Sequence, residues 1–195
     1  AIPLEAVTLL CVAGPDAATT WRLDGQGSGN LDGLRFTGID IPQGATITAA
    51  SIQFTVDELV DVSPAELIIR VQNASGATTF NSSNHGISSR PMTAAAENWA
   101  VNPWNDDGAG TAGPDQQTPD LSPVVQEIVD REDWAESGNS LVFFISGTGA
   151  RSAESWDGAM SHGNPGLAPQ LTVSYTTASQ PDLPSVPSIM LSFMD

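Results

Sequence analysis

The sequence predicts an all-β protein, a jelly-roll-like antiparallel β-sandwich with one short helix (about 121–132) and an extended C-terminal strand. Short runs rich in Val, Ile and Thr recur along the chain. Turn signals drawn from 18 glycines and 14 prolines separate them. Only one segment carries a sustained apolar period of about 3.6 residues.

Taken in order, "VTLLCV" (7–12) reads as a first strand, with Trp21 in a second ahead of Asp24. "GLRFTGI" alternates Leu34 and Phe36 against Arg35 and Thr37, and Pro42 and Gly44 mark the following turn. "ITAASIQFTVDE" places Ile52, Phe54 and Val56 on one face and Gln53, Thr55 and Asp57 on the other. "LIIRVQN" repeats the alternation with Leu67, Ile69 and Val71. "SLVFFIS" (140–146) is continuously apolar, as a central strand covered on both faces should be, and "QLTVSYTT" (170–177) completes the set. The helix is expected from Asp120 as N-cap, with Leu121, Val124, Val125, Ile128 and Val129 forming its apolar stripe and Pro123 in its first turn. Residues 75–119, rich in Asn, Ser, Gly and Pro, read as a long loop covering a sheet.

Composition excludes several function classes. Net charge is −17, with 23 Asp and Glu against six basic residues, all of them arginine. Nucleic acid and anionic membrane surfaces need a cationic face, so neither is an expected partner. Arg35, Arg70, Arg90 and Arg151 are expected to fork to carboxylates and carbonyls near the core. Cys11 is the sole cysteine, so no internal disulfide forms, and it reads as a small buried hydrophobe. No stretch reaches the ~20 apolar residues a membrane-spanning helix needs, so no membrane insertion is expected. The opening "AIPLEA", without Met, reads as that of a processed, exported protein.

The domain organisation expected is a sandwich over 1–177, a Pro-rich linker over 178–187 and an apolar strand over 188–195. In that strand Ile189, Leu191 and Phe193 share one face, with Met190 on the other. A polyproline-like linker of ten residues reaches about 30 Å at ~3.1 Å per residue, enough to bring the strand to a neighbouring molecule. Such a strand is an aggregation hazard unless it fills a sheet edge, and strand addition is a common recognition mode. Val7 and Leu9, on the first strand, are the expected acceptors in a homopolymer.

The run "GLRFTGIDIPQGATITAASIQFTVDE", then "ISSR", "TPDLSPVVQEIVDREDWAESGNSLVFFISGTG", "RSAESWDG" and "APQLTVSY", resembles a repeat domain of secreted bacterial proteins. It is similar, over about 14–177, to the DNRLRE-type, carbohydrate-binding-module-like β-sandwiches of surface and polysaccharide-degrading proteins. The resemblance implies a jelly-roll-like sandwich, a secreted or cell-surface location and a bound calcium. It does not imply catalysis.

Candidate chemistry is sparse. His85 and His162 lie in Gly/Ser/Asn loops with no hydrolase context, and the chain is expected not to be an enzyme. Calcium needs several carboxylate and carbonyl oxygens at one point. Asp24, Asp57, Glu58, Glu154 and Asp157 are the candidate ligands, gathered at strand ends and turns. Of five tryptophans, Trp99, Trp104 and Trp156 lie in loop-like stretches and are the candidate sugar-stacking rings, whereas Trp21 and Trp134 read as packing residues. "NAS" (73–75) and "NSS" (81–83) match the N-glycosylation pattern. The expected function is therefore a structural subunit of a cell-surface filament, assembled by strand donation. The alternative is a calcium-stabilised carbohydrate-binding module that adheres to polysaccharide.

Overall fold

The structure is a computed structural model, which describes residues 4–13, 20–24, 31–80, 87–104, 107–135 and 137–178. Its elements are β1 (Glu5–Ala13), β2 (Thr20–Asp24), β3 (Asp32–Ile39), β4 (Thr46–Gln53), β5 (Val56–Val71), β6 (Glu97–Val101), α1 (Ser122–Val129), β7 (Asn139–Glu154), α2 (Trp156–Ser161) and β8 (Gln170–Thr176). All strand pairings are antiparallel, and the architecture is the predicted all-β sandwich. One sheet runs β4-β8-β1; the other runs β3-β7-β5-β6, with β2 following β3 along the same side of β7. β1 belongs to both. Glu5–Leu10 pair with β8, then the register shifts and Cys11 and Ala13 pair with Phe36 and Arg35 of β3.

The core lies between the sheets. Leu34 and Phe36 of β3, Ile52 of β4, Leu67, Ile69 and Val71 of β5, Leu141, Phe143 and Ile145 of β7, and Leu171 and Val173 of β8 form one buried cluster. Phe36 and Phe143 meet edge to face, with centroids 5.7 Å apart. The continuously apolar run of β7 is covered on both sides. Its other row, Val142 and Phe144, belongs to a second cluster with Ala77, Leu31, Phe80, Ile87 and Met92, where part of the long connection lies over the outer sheet face.

The run 47–58 is two strands rather than one. Ile52, Phe54 and Val56 keep one buried row, but the backbone leaves the first sheet at Phe54–Thr55 and joins the second as β5. The long connection also contains β6, whose Trp99 and Val101 point into the core. The helix is shorter than the expected 121–132. Leu121 rather than Asp120 takes the N-cap position, because residues before it first run along β4 as a cover to that edge. Thr118 exchanges bonds with Ile52, and the buried Leu121 donates its amide to the Ala50 carbonyl. Asp120 acts one position earlier: its carboxylate accepts from the Ser122 amide and hydroxyl and from the Ala50 amide. "AESWDG", expected as a turn, opens α2, which Ser155 caps by accepting from the Gly158 amide.

The arginines bond mainly to carbonyls. Arg35 donates to Ala77 O, Arg70 to Thr93 O and Ala94 O, and Arg90 to Thr78 O and Thr79 O while lying over the Phe80 ring. Arg151, 1% exposed, ties three strands: it donates to Val101 O at the end of β6 and Asn102 O just after it, to Ala150 O on β7, and to Asp61 and Ser63 on β5.

Candidate functional site

Two places on the fold are chemically unfinished. The first is the free edge of β1. β8 pairs with one side of Glu5–Leu10, and among the described residues no backbone partner takes the other side of Glu5–Leu9. Among the described residues, the alternate N–H and C=O groups on that side have no backbone partner, as at a sheet edge. Val7 and Leu9 sit opposite Val173 and Leu171, which are fully buried in the core. Strand alternation puts Val7 and Leu9 on the same inward row, yet they are only partly buried. The other edge of this sheet, β4, is closed by residues 116–121 and by the Gln126 side chain, which accepts from the Ile47 amide and donates to Ala45 O. Among the described residues, β8 is thus the only strand paired with Glu5–Leu9, while the end of β1 continues into pairing with β3. Ile189, Met190, Leu191 and Phe193 lie outside the described residues.

The second place is the far end of β7. Asp57 Oδ2, Ser152 Oγ and Glu154 Oε1 are buried and have no hydrogen-bond partner. Burial pushes the Glu154 carboxyl above its ordinary value, the Asp57 charge pushes it further, and His162 pulls the other way. His162, the C-cap of α2, brings Nδ1 to 3.7 Å from Glu154 Oε1.

The predicted calcium ligands do not converge as a set. Asp57 and Glu154 are neighbours, but Glu58 is exposed on the next position of β5 and Asp157 is exposed in the first turn of α2. The Asp24 side chain lies outside the described residues, as does His85. Among the described residues no three His, Cys, Asp or Glu side chains come together to hold a metal ion. Sequence reasoning missed Ser152, which carries no recognisable motif and becomes relevant only through its place in the register.

The sugar-stacking expectation loses two of its three rings. Trp99 (5% exposed) stacks against Phe54 at 5.8 Å, and Trp104 (1% exposed) donates its indole N–H to Asp115 O. Both fill the core beneath what looked like loop, so neither offers a face to a pyranose. Trp156 is half-buried at the start of α2. A shallow cleft of about 240 Å³ on the outer face of the β4-β8-β1 sheet is lined by small, hydroxyl and amide side chains such as Ser51, Gln117, Thr172 and Ser174, without an aromatic ring. No helix among the described residues is long and apolar enough to cross a membrane. No protein-family model matches the chain, and no curated protein matches it in sequence.

Proposed function

We propose that this chain is a non-catalytic structural subunit of an extracellular filament, in which residues 188–195 of one copy add a strand beside β1 of the next. The observation that carries this reading is the unfinished β1 edge, where Val7 and Leu9 face the core and remain partly open to water. A strand laid there would pair the open backbone groups and cover that row. The tail has the pattern such a strand needs, with Ile189, Leu191 and Phe193 on one face and no charge before Asp195. Burying four or five large apolar side chains contributes roughly 6–15 kcal/mol gross, at ~1.5–3 kcal/mol each. Lost freedom on association cancels an estimated 4–15 kcal/mol of this, so added backbone pairing decides the surplus. Because the donated strand and the accepting edge are different surfaces, the contact is head-to-tail and grows an open fibre. The secreted setting rests on the resemblance to DNRLRE-type sandwiches of surface proteins.

Sedimentation and electron microscopy of the full chain test this. The wild type should form fibres, and Leu191→Asp should give a folded monomer that melts cooperatively but lower than the fibre, because a charge in the apolar row prevents docking without touching the sandwich. A peptide of Ser188–Asp195 added in excess should cap growth. A wild-type chain that stays monomeric at micromolar concentration would refute the proposal.

A further inference from the structure

The partnerless oxygens at the end of β7 share one face of the sheet. The Glu154 amide donates to Thr55 O at 2.9 Å, and the next pair in register is Val56 with Ala153. Val56 and Ala153 belong to the core cluster. Strand alternation therefore turns Thr55, just before β5, Asp57 of β5, and Ser152 and Glu154 of β7 to the opposite face. Ser152 is fully buried and Glu154 is 4% exposed, so water does not solvate them freely. Ser152 Oγ hydrogen-bonds to neither carboxylate. On the far side of β7, Thr20 and Arg22 of β2 stand opposite Glu154 and Ser152 in the backbone register.

A buried carboxylate oxygen without a hydrogen bond is unfavourable, and one from each of two neighbouring carboxylates, Asp57 Oδ2 and Glu154 Oε1, is worse. His162 Nδ1 stands 3.7 Å from Glu154 Oε1, beyond hydrogen-bond distance, on a side chain 57% exposed. The donor set is oxygen: two carboxylates and a hydroxyl, with no thiol. Such donors select hard divalent cations, and two negative charges match one such ion, with water completing its shell.

We propose that Asp57, Ser152 and Glu154 form a site for a hard divalent cation of the calcium and magnesium type, with His162 at its rim. The site differs from the five-carboxylate arrangement expected from sequence, since Glu58 and Asp157 take no part and Ser152 does. It does not depend on filament assembly.

The test uses the full chain stripped with EDTA at neutral pH, titrated with calcium and separately with magnesium. Melting temperature is followed, together with terbium luminescence excited through tryptophan, for which Trp156 is two residues from Glu154. A cation that binds only the folded state raises its melting temperature saturably. Terbium emission should appear and be displaced by calcium or magnesium. Asp57→Asn and Glu154→Gln should each weaken binding by at least about tenfold. Without metal, Glu154→Gln should melt no lower than the stripped wild type, because it removes a buried charge, so its lost response is not unfolding. Glu58→Gln and Asp157→Asn should respond as the wild type does, which separates this site from loose binding to an acidic surface. The proposal is overturned if the wild type shows no saturable response to either ion, or if the response survives in both Asp57→Asn and Glu154→Gln.

Discussion

Replacing Arg151 by methionine isolates what one buried guanidinium does for the second sheet. Methionine approximates the length and volume of the side chain but donates nothing. The change leaves Ala150 O and Val101 O, whose bonds to Arg151 are buried, without those donors, and it strips Asp61 of its charge partner at 2.7 Å. Each buried acceptor left unpaired costs about 1–3 kcal/mol. Breaking a buried ion pair from one side costs about 3–5 kcal/mol, though Asp61, at 15% side-chain exposure, recovers some hydration. Because these terms overlap, we expect a loss of about 3–6 kcal/mol, a large part of the ~5–15 kcal/mol that holds a domain together. Urea unfolding should show it as a fall in midpoint of about 1.5–3 M at an m-value near 2 kcal/mol/M. Arg151→Lys should fall between methionine and wild type, since one ammonium reaches Asp61 but cannot also fork to the Val101 and Ala150 carbonyls. Asp61→Asn, which leaves the carbonyl bonds intact, should be mildest. If Arg151→Met lowers stability by less than about 1 kcal/mol, the carbonyls find other donors and the tie is dispensable. If Asp61→Asn is as damaging as Arg151→Met, the ion pair rather than the carbonyl fork does the holding.

Gly149→Ala should destabilise by at least about 2 kcal/mol in the same urea assay, combining left-handed backbone strain with overpacking. Gly149 has φ +77°, and an added Cβ would lie 2.4 Å from the Ala65 Cα and Pro64 O of β5. Gly38→Ala, at φ +70° with open space around it, should show strain alone, about 1 kcal/mol. Asp120→Ala should cost about 1–2 kcal/mol at neutral pH through its lost capping bonds. Burial works to raise the Asp120 carboxyl, but hydrogen bonds from the Ser122 hydroxyl, the Ala50 amide and the Ser122 amide outweigh it and hold it below the ordinary aspartate value. Its contribution is therefore complete above about pH 4 and is lost as pH falls through the lowered value, so the wild type and Asp120→Ala should converge in acid.

Legibility in the sequence followed the strength of local pattern. β3, the second half of β5, the first half of β7 and β8 alternate or run apolar in the way their burial requires, and the α1 stripe Val124, Val125, Ile128 and Val129 is buried as its spacing demands. The first half of β5 was illegible. "VDELVDVSPAE" carries charge and a proline, and the structure holds it by bulged pairing to β7. Gly147 and Gly149 permit that close approach, and Arg151 ties Asp61 and Ser63 to the strand. None of these three signals lies in the segment itself. β6 was hidden for a related reason. Its five residues contain only two inward apolar positions, Trp99 and Val101, and Asn/Gly-rich surroundings read as loop. Residue chemistry alone could raise Asp57 and Glu154 as ligands. It could not single out Ser152, buried without a hydrogen-bond partner, or show Glu58 and Asp157 exposed, because strand register and the β5 bulge decide those positions.

Charge composition bears directly on how the buried carboxylates are satisfied. The chain has 23 acidic residues and six arginines, so most carboxylates must rely on water. Those in water need nothing more; Glu154 is denied it. Arg35, Arg70 and Arg90 are bonded to carbonyls around the covered outer face, Arg131 to Asp133, and Arg151 to Asp61 and four carbonyls. The guanidinium groups of these five are thus engaged elsewhere. A proton on Glu154 would remove one charge, yet it makes a single hydrogen bond and satisfies at most two of the three open oxygens. An ion held as proposed by Asp57, Ser152 and Glu154 would engage all three and offset the repulsion between the two carboxylates. The sixth arginine, Arg22, pairs in backbone register with Ser152 and its side chain lies outside the described residues; in the site proposed above, a cation from solution would supply the counter-charge.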